Sequence, residues 1–201
     1  MNYTVHIDAD FTPILQMVES LSTISAKRLF QVGTYAVRDR VRKHLRAQSG
    51  QRHATARRLG AKPTGHIEKG ARAVTATATD KGGTVTIPIA GISRAFGDIT
   101  ISTPTRYGKR FLTLPKHPLA YGRTVGEMRR LGWKIFRPGK KKVLLGYRSK
   151  KDKPTLLFTL AGTVHLKKDP SLLPTLDECA KTATSAMMDT VMRTAKKGGK
   201  A

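Results

Sequence analysis

The sequence predicts an α+β fold: an antiparallel sheet flanked by a long N-terminal helix and a C-terminal helix, with extended loops or arms. Three observations predict it. Apolar residues recur at spacings of three and four in both terminal regions, the period of a helix with one buried face. Between those regions, short runs of small and β-branched residues are cut by glycine- and proline-containing turns, as in paired strands. The order helix, arm, strands, helix is that of a sheet with its helices segregated rather than woven between strands.

The first element is the long helix. Thr12 and Pro13 supply an N-cap and a first-turn residue, because proline needs no N–H there and its φ is already helical. Ile14, Val18, Leu21 and Ile24 then share a face, Leu29, Val32 and Ala36 continue it, and Val37, Val41 and Leu45 form a neighbouring stripe. No proline intervenes before Pro63, which allows one helix of up to roughly 33 residues. The change of stripe near Gly33 reads as a bend or as a broad buried face. Arg38, Arg40, Arg42, Lys43 and Arg46 crowd the far end, where the helix dipole favours cations. Residues 1–48 are thus expected to hold an N-terminal strand and this helix.

From Ser49 to Gly70 the period vanishes. SGQRHATARRLGAKPTGHIEKG is small, polar and basic, and residues 49–70 are expected to form an exposed basic arm or loop. Residues 71–169 carry the strand signals. ARAVTATAT and TVTIPIA flank the turn DKGG as a hairpin, and Pro88 confines the second strand to an edge or marks its end. Ile99–Ser102 and Phe111–Leu114 are two further strands. Gly132–Phe136 and Val143–Tyr147 pair across the basic turn RPGKKK. Leu156–Leu160 and Thr163–Leu166 close the region on either side of Ala161-Gly162. In residues 170–201, Thr175 and Glu178 have the spacing of a capping box. Leu176, Ala180, Ala183, Met187 and Val191 then share a helical face before the basic tail at Lys196 and Lys197. No internal repeat occurs, and the four parts are expected to form one domain.

Charge narrows the function. Among 201 residues, 38 Lys and Arg face 13 Asp and Glu, for a net charge of +25. Between Arg106 and Lys153 there are 16 basic residues and only two acids, Glu127 and Asp152, a net +14 in 48 positions. Such a density opposes compaction unless counter-charge is near, and nucleic-acid phosphate or an acidic protein face would supply it. Arg129, Arg130, Lys134, Arg137, Lys140, Lys141 and Lys142 are the expected contact with DNA or an acidic partner. Tyr107, Tyr121, Trp133, Phe136 and Tyr147 are interleaved with these cations. Such aromatics stack bases in some proteins, but for Trp133 and Phe136 the core face of the sheet is the expectation.

Other classes find little support. No apolar run reaches the ~18–20 residues of a membrane span, so no membrane partner is expected. MNYTVHIDADF lacks the basic start and apolar middle of a secretory signal, so the chain is expected to stay in a reducing compartment. Cys179 stands alone, which leaves no internal disulfide and no cysteine-based zinc site. It sits among small apolar residues and reads as packed rather than reactive. His6, His44, His53, His66, His117 and His165 show no metal-binding spacing, and His117 and His165 at strand ends read as structural hydrogen-bonding groups. Asp8, Asp10, Asp39, Asp98 and Asp152 are scattered, without a cluster for Mg²⁺. No phosphate-cradling glycine motif occurs. No catalytic, cofactor or metal residues are expected, and the chain is expected not to be an enzyme.

Three ordered runs carry a resemblance: GISRAFGDITI, KRFLTLPKHPLAYGRTVGEMRRLGW and LFTLAGTVHLKKDPSLLP. Their features are Arg94-Ala95-Phe96-Gly97-Asp98, Leu114-Pro115-Lys116-His117-Pro118, Ala120-Tyr121-Gly122 and Asp169-Pro170. Together they resemble the virion morphogenesis or tail-completion proteins of tailed phages, over roughly Val85 to Ala186. The resemblance implies a small α+β subunit that forms a ring at the neck or tail top, joining the DNA-filled head to the tail as a joining, completion or terminator subunit. It implies six copies in preference to twelve, portal-side connector and tail-tube neighbours, DNA in the lumen, and residence in the virion after synthesis in the host cytoplasm. Six copies at +25 would place about +150 in one ring, a load that calls for acidic or nucleic-acid neighbours. The rival from another class is a sequence-independent nucleic-acid-binding protein acting free in the cytoplasm.

Overall fold

Helix α1 (Ala26–Ser49) turns Leu29, Phe30, Gly33, Thr34, Val37, Val41 and Leu45 inward along one continuous face, so the change of stripe at Gly33 is a broad buried face within an unbroken helix. The computed structural model describes residues 3–6, 25–49, 54–103 and 111–198. The expected helix start at Thr12 and Pro13 lies outside them. The fold is α+β. In chain order the elements that follow β1 (Tyr3–His6) and α1 are α2 (Ala54–Leu59), α3 (His66–Ala73), β2 (Thr75–Ala78), β3 (Gly83–Ile87), β4 (Ile99–Ser102), β5 (Leu112–Pro115), α4 (Val125–Arg130), β6 (Lys134–Phe136), β7 (Val143–Tyr147), β8 (Thr155–Ala161), β9 (Thr163–Leu166) and α5 (Leu176–Gly198).

The chain divides into two compact units. The first comprises residues 1–50, 66–97 and 168–201, and the second 51–65 and 98–167. In the first unit, β1, β3 and β2 form an antiparallel sheet with β3 in the middle. Pro88 follows directly on β3 and ends it, as a residue without an N–H must in a central strand. α1 packs against α5, α3, β2 and β3. Val37, Val41 and Leu45 join Ile67, Ala71, Val74, Val85, Ile87, Cys179 and Ala183 in the main core, and Leu29 and Phe30 meet Met187 and Val191 in a second cluster. Gly33 and Gly83 allow close approach: a Cβ at Gly33 would overlap the end of Met187, and one at Gly83 would overlap the Thr34 hydroxyl. That hydroxyl donates to the Phe30 carbonyl at 2.5 Å, inside the core.

The segment expected as an arm is partly helical: α2 and α3 fall within or across residues 49–70. Each buries one or a few small apolar groups, Ala56 on α2 and Ile67, Gly70 and Ala71 on α3. Helices this short show too few apolar positions to declare a period, and their stability comes from the packing. For the same reason Ala71–Ala73, expected as strand, complete α3. On α5 the capping box forms as expected, with the Thr175 N–H donating to Glu178 at 3.0 Å and the Glu178 N–H to Thr175 Oγ1 at 3.2 Å. Its inward face is Cys179, Ala183, Met187 and Val191, whereas Leu176 is 61% exposed. Leu176 opens the helix, ahead of the turn that first reaches the core.

The second unit contains two antiparallel sheets. β5, β8, β7 and β6 form one, in that order, and β4 pairs with β9 in the other. β8 and β9 are consecutive yet belong to different sheets, and the chain changes sheet at Gly162. The expected pairing across RPGKKK is present, with Lys134 opposite Tyr147 and Phe136 opposite Leu145. The core of this unit gathers Ala120, Met128, Ile135, Leu157 and Phe158, with Trp133 and Leu144 against it. Both Leu157 and Phe158 turn inward because β8 is irregular opposite Leu144 and Leu145, as a bulge permits.

Candidate functional site

The expected contact residues all belong to the second unit, and all are exposed. α4 delivers the first two. Thr124 and Glu127 close its N-terminus with a capping box, the Thr124 N–H donating to Glu127 at 2.6 Å. That bond holds the Glu127 carboxyl below its ordinary pKa, with Arg130 and Arg123 adding a smaller charge effect. Arg129 and Arg130 follow in the last turn. Gly132, at φ 86°, then turns the chain into β6, a conformation that costs glycine little.

On β6, Ile135 points into the core, so Lys134 and Phe136 point away from it. Phe136 is 39% exposed, which corrects the expectation that its ring fills the core. The strand alternates, and the inward place is taken by Ile135. Trp133, one step earlier on the inner side, does pack against the core as expected. Its indole N–H is buried without a hydrogen-bond partner among the described residues.

The turn from β6 to β7 is held by one of its own cations. Arg137 donates through Nε to the Lys141 carbonyl at 2.7 Å and through Nη2 to the Lys140 carbonyl at 2.9 Å. Its guanidinium lies 5.1 Å from the centre of the Phe111 ring. Arg137 is therefore a brace for the turn, and a planar fork suits that task better than an ammonium. Lys140, Lys141 and Lys142 are displayed by the braced turn, and the Lys142 carbonyl accepts from Leu160 N–H at 2.8 Å. Lys134, Lys140, Lys141, Lys142 and Arg129 form no ion pair among the described residues.

Arg148 and the interleaved aromatics complete the surface. Tyr147 lies across from Lys134 and meets Phe136 edge to face, ring centres 6.0 Å apart. Arg148 sits 5.3 Å from the centre of the Trp133 ring. A groove of about 520 Å³ runs between Arg129, Trp133, Lys134, Ile135, Phe136 and Tyr147. The sequence signal for Phe136 and Tyr147 was their strand register, legible only once the pairing and the inward residue are known.

Elsewhere the polar groups do structural work. His117 Nδ1 accepts from the Leu119 N–H at 3.2 Å, and His165 Nδ1 lies 2.9 Å from Thr100 Oγ1. His44 Nε2 lies 3.1 Å from the Ser171 carbonyl. His53 lies outside the described residues. Burial, with the charge of Glu178 adding, pushes the Cys179 thiol up, away from the thiolate a nucleophile needs. Among the described residues no group of three His, Cys, Asp or Glu side chains could hold a metal ion, and no helix is long and apolar enough to cross a membrane.

The motif pieces set apart in the sequence meet in space. The Asp169 N–H donates to the Arg94 carbonyl at 2.7 Å, and the two side chains approach to 4.0 Å. Asp98 pairs with Lys167 at 3.2 Å. His117 caps the 3-10 turn Pro118–Ala120, and Ala120 is fully buried. Comparison with known proteins finds no matching family model, no curated relative and no matching solved structure.

Proposed function

We propose that this chain is a structural subunit of a tailed-phage virion, a ring-forming head–tail joining or tail-completion protein that performs no catalysis. The observation that carries the reading is the use made of the motif residues. Arg94 joins Asp169, Asp98 joins Lys167, and His117 caps a turn. The backbone bond between Arg94 and Asp169 and the His117 cap hold the path of the chain, which is the work of residues in a building block. Short sheets and a small second core also suit a subunit that gains stability against identical neighbours. Six copies, with portal-side and tail-tube proteins on either side and DNA in the lumen, would supply the counter-charge that the second unit lacks.

Purified particles test this. The chain is expected in intact virions as a ring at the neck, and particles lacking it are expected to hold full heads unjoined to tails. Absence from virions, or a single copy within them, overturns the reading. The exposed hairpin lysines Lys134, Lys140, Lys141 and Lys142, which form no ion pair among the described residues, favour one rival, a nucleic-acid-binding protein acting free in the cytoplasm. It requires tight duplex binding by the isolated monomer with a steep salt dependence, which a gel-shift series across salt measures.

A further inference from the structure

We infer that the groove beside β6 binds unpaired bases of a single-stranded nucleic acid, with the rings of Phe136 and Tyr147 as the stacking platform. The inference deepens the reading of the basic surface above, and it does not require the chain to be a virion subunit.

The argument starts from the register. Ile135 and Gly146 face the core side of the β6–β7 pair, so Lys134, Phe136, Leu145 and Tyr147 share the opposite face. On that face an aromatic side chain gains nothing from the unit's own core, yet two stand together with their centres 6.0 Å apart. Phe136 keeps 39% of its surface open. The groove they line with Trp133 and Ile135 has a volume of about 520 Å³ and is open to solvent, a shape that suits a strand laid along it better than an enclosed small molecule.

Charge decides the occupant. Arg129 and Lys134 line the same groove, and Lys140 to Lys142 stand on the braced turn of the same hairpin. Cations that track a backbone, alternating with rings that accept a base of any identity, make a single-strand site without sequence preference. A duplex keeps its base faces stacked and would use only the cations. A uniformly acidic segment such as polyglutamate would likewise leave the rings without a role.

The test uses the purified full-length chain and three probes: a fluorescent oligothymidylate, a duplex of equal phosphate number, and polyglutamate. Oligothymidylate is expected to bind at least about 5-fold more tightly than the duplex, since one stacked base is worth roughly 5- to 150-fold in affinity. Phe136→Ala and Phe136→Leu are both expected to weaken it about 5- to 10-fold with an unchanged salt slope, and Phe136→Tyr to retain it. Lys134→Ala is expected to lower the slope by roughly 0.7, one single-strand phosphate. Phe136 is outside the core, and unchanged thermal unfolding of Phe136→Leu would separate lost stacking from lost folding. Equal binding of single strand and duplex, or Phe136→Leu binding like the parent chain, overturns the inference and leaves a purely electrostatic surface. Preference for polyglutamate overturns it in favour of an acidic protein partner. The presence of the chain in virions is read on particles, so either result can fail alone.

Discussion

The unit built on α1 and α5 has 17 basic and 10 acidic residues in 116, a net of +7, while the unit built on the β5–β8–β7–β6 sheet has 21 and 3 in 85, a net of +18. The first pairs several of its cations internally. Arg40 pairs with Glu178 at 2.6 Å, Lys181 with Asp177 at 2.9 Å and Arg46 with Glu68 at 3.8 Å. Arg42 donates to the Val74 carbonyl at 2.6 Å where α3 gives way to β2. The second unit pairs Lys167 with Asp98, and its hairpin lysines form no ion pair among the described residues, around a core cluster of five buried side chains. Self-repulsion therefore weighs on the unit with less burial to offset it. The difference teaches where charge is balanced and where it accumulates: the first unit comes closer to matching its cations with its own acids, and the second carries most of the net charge.

Four perturbations would break or sharpen that contrast. The largest is Phe158→Ala, which empties the centre of the smaller core and is expected to cost about 3–5 kcal/mol. Hydrogen exchange read residue by residue should show protection lost across residues 112–161 and retained along α1 and α5. Equal loss in both units would mean that they stand or fall together and would end the contrast.

Gly83→Ala comes next. Its Cβ would press on Thr34, whose own Cβ would lie 2.8 Å away. Thr34 is buried and held by its bond to Phe30, so it has little room to yield, and a loss of about 1–3 kcal/mol is expected in denaturant unfolding. A neutral result would show the α1–β3 contact to be looser than its geometry.

The cap of α5 gives a smaller, pH-dependent effect. The Thr175 N–H holds the Glu178 carboxyl below its ordinary pKa, partial burial opposes this, and the charge of Arg40 adds to it. A carboxyl lowered by folding stabilises above its unfolded pKa and loses that contribution as pH falls through its folded value. Glu178→Gln should therefore lower Tm at neutral pH, and the deficit should shrink on acidification below the ordinary carboxylate range. A deficit constant with pH would remove charge from the account. Thr175→Ala, which deletes the hydroxyl acceptor, is expected to cost about 1 kcal/mol.

The smallest effect is that of salt. Raising ionic strength from about 0.02 to 0.5 M shortens the screening length severalfold. Exchange protection is expected to rise in the unmatched unit, where repulsion is screened, and to fall slightly in the first, where pairs are weakened. A fall in both would show that the lysines of the second unit already have internal partners.

Much of the fold is legible in the sequence. The stripe from Leu29 to Leu45, the capping box at Thr175 and Glu178, the hairpin across DKGG and the pairing across RPGKKK each rest on residues close in the chain, whose period or turn chemistry acts locally. The exposed cations of the hairpin were legible for the same reason, because lysine and arginine rarely enter a core unpaired. Legibility fails where the deciding partner is remote. α2 and α3 exist because Ala56, Ile67 and Ala71 find burial, and Leu176 misses the core that Cys179 reaches. That Arg137 braces its own turn was not legible, because it depends on Lys140 and Lys141 turning their carbonyls toward it.

Composition, charge and periodicity by themselves determined that this is an α+β chain with two dominant helices and a concentrated positive surface, since those properties are sums over neighbours in sequence. Only the tertiary structure decided that the chain forms two units, that Arg94 meets Asp169, and that Phe136 stands with Tyr147 outside the core. Such choices depend on which face of a strand is buried, and a strand's two faces are distinguished only by what packs against them.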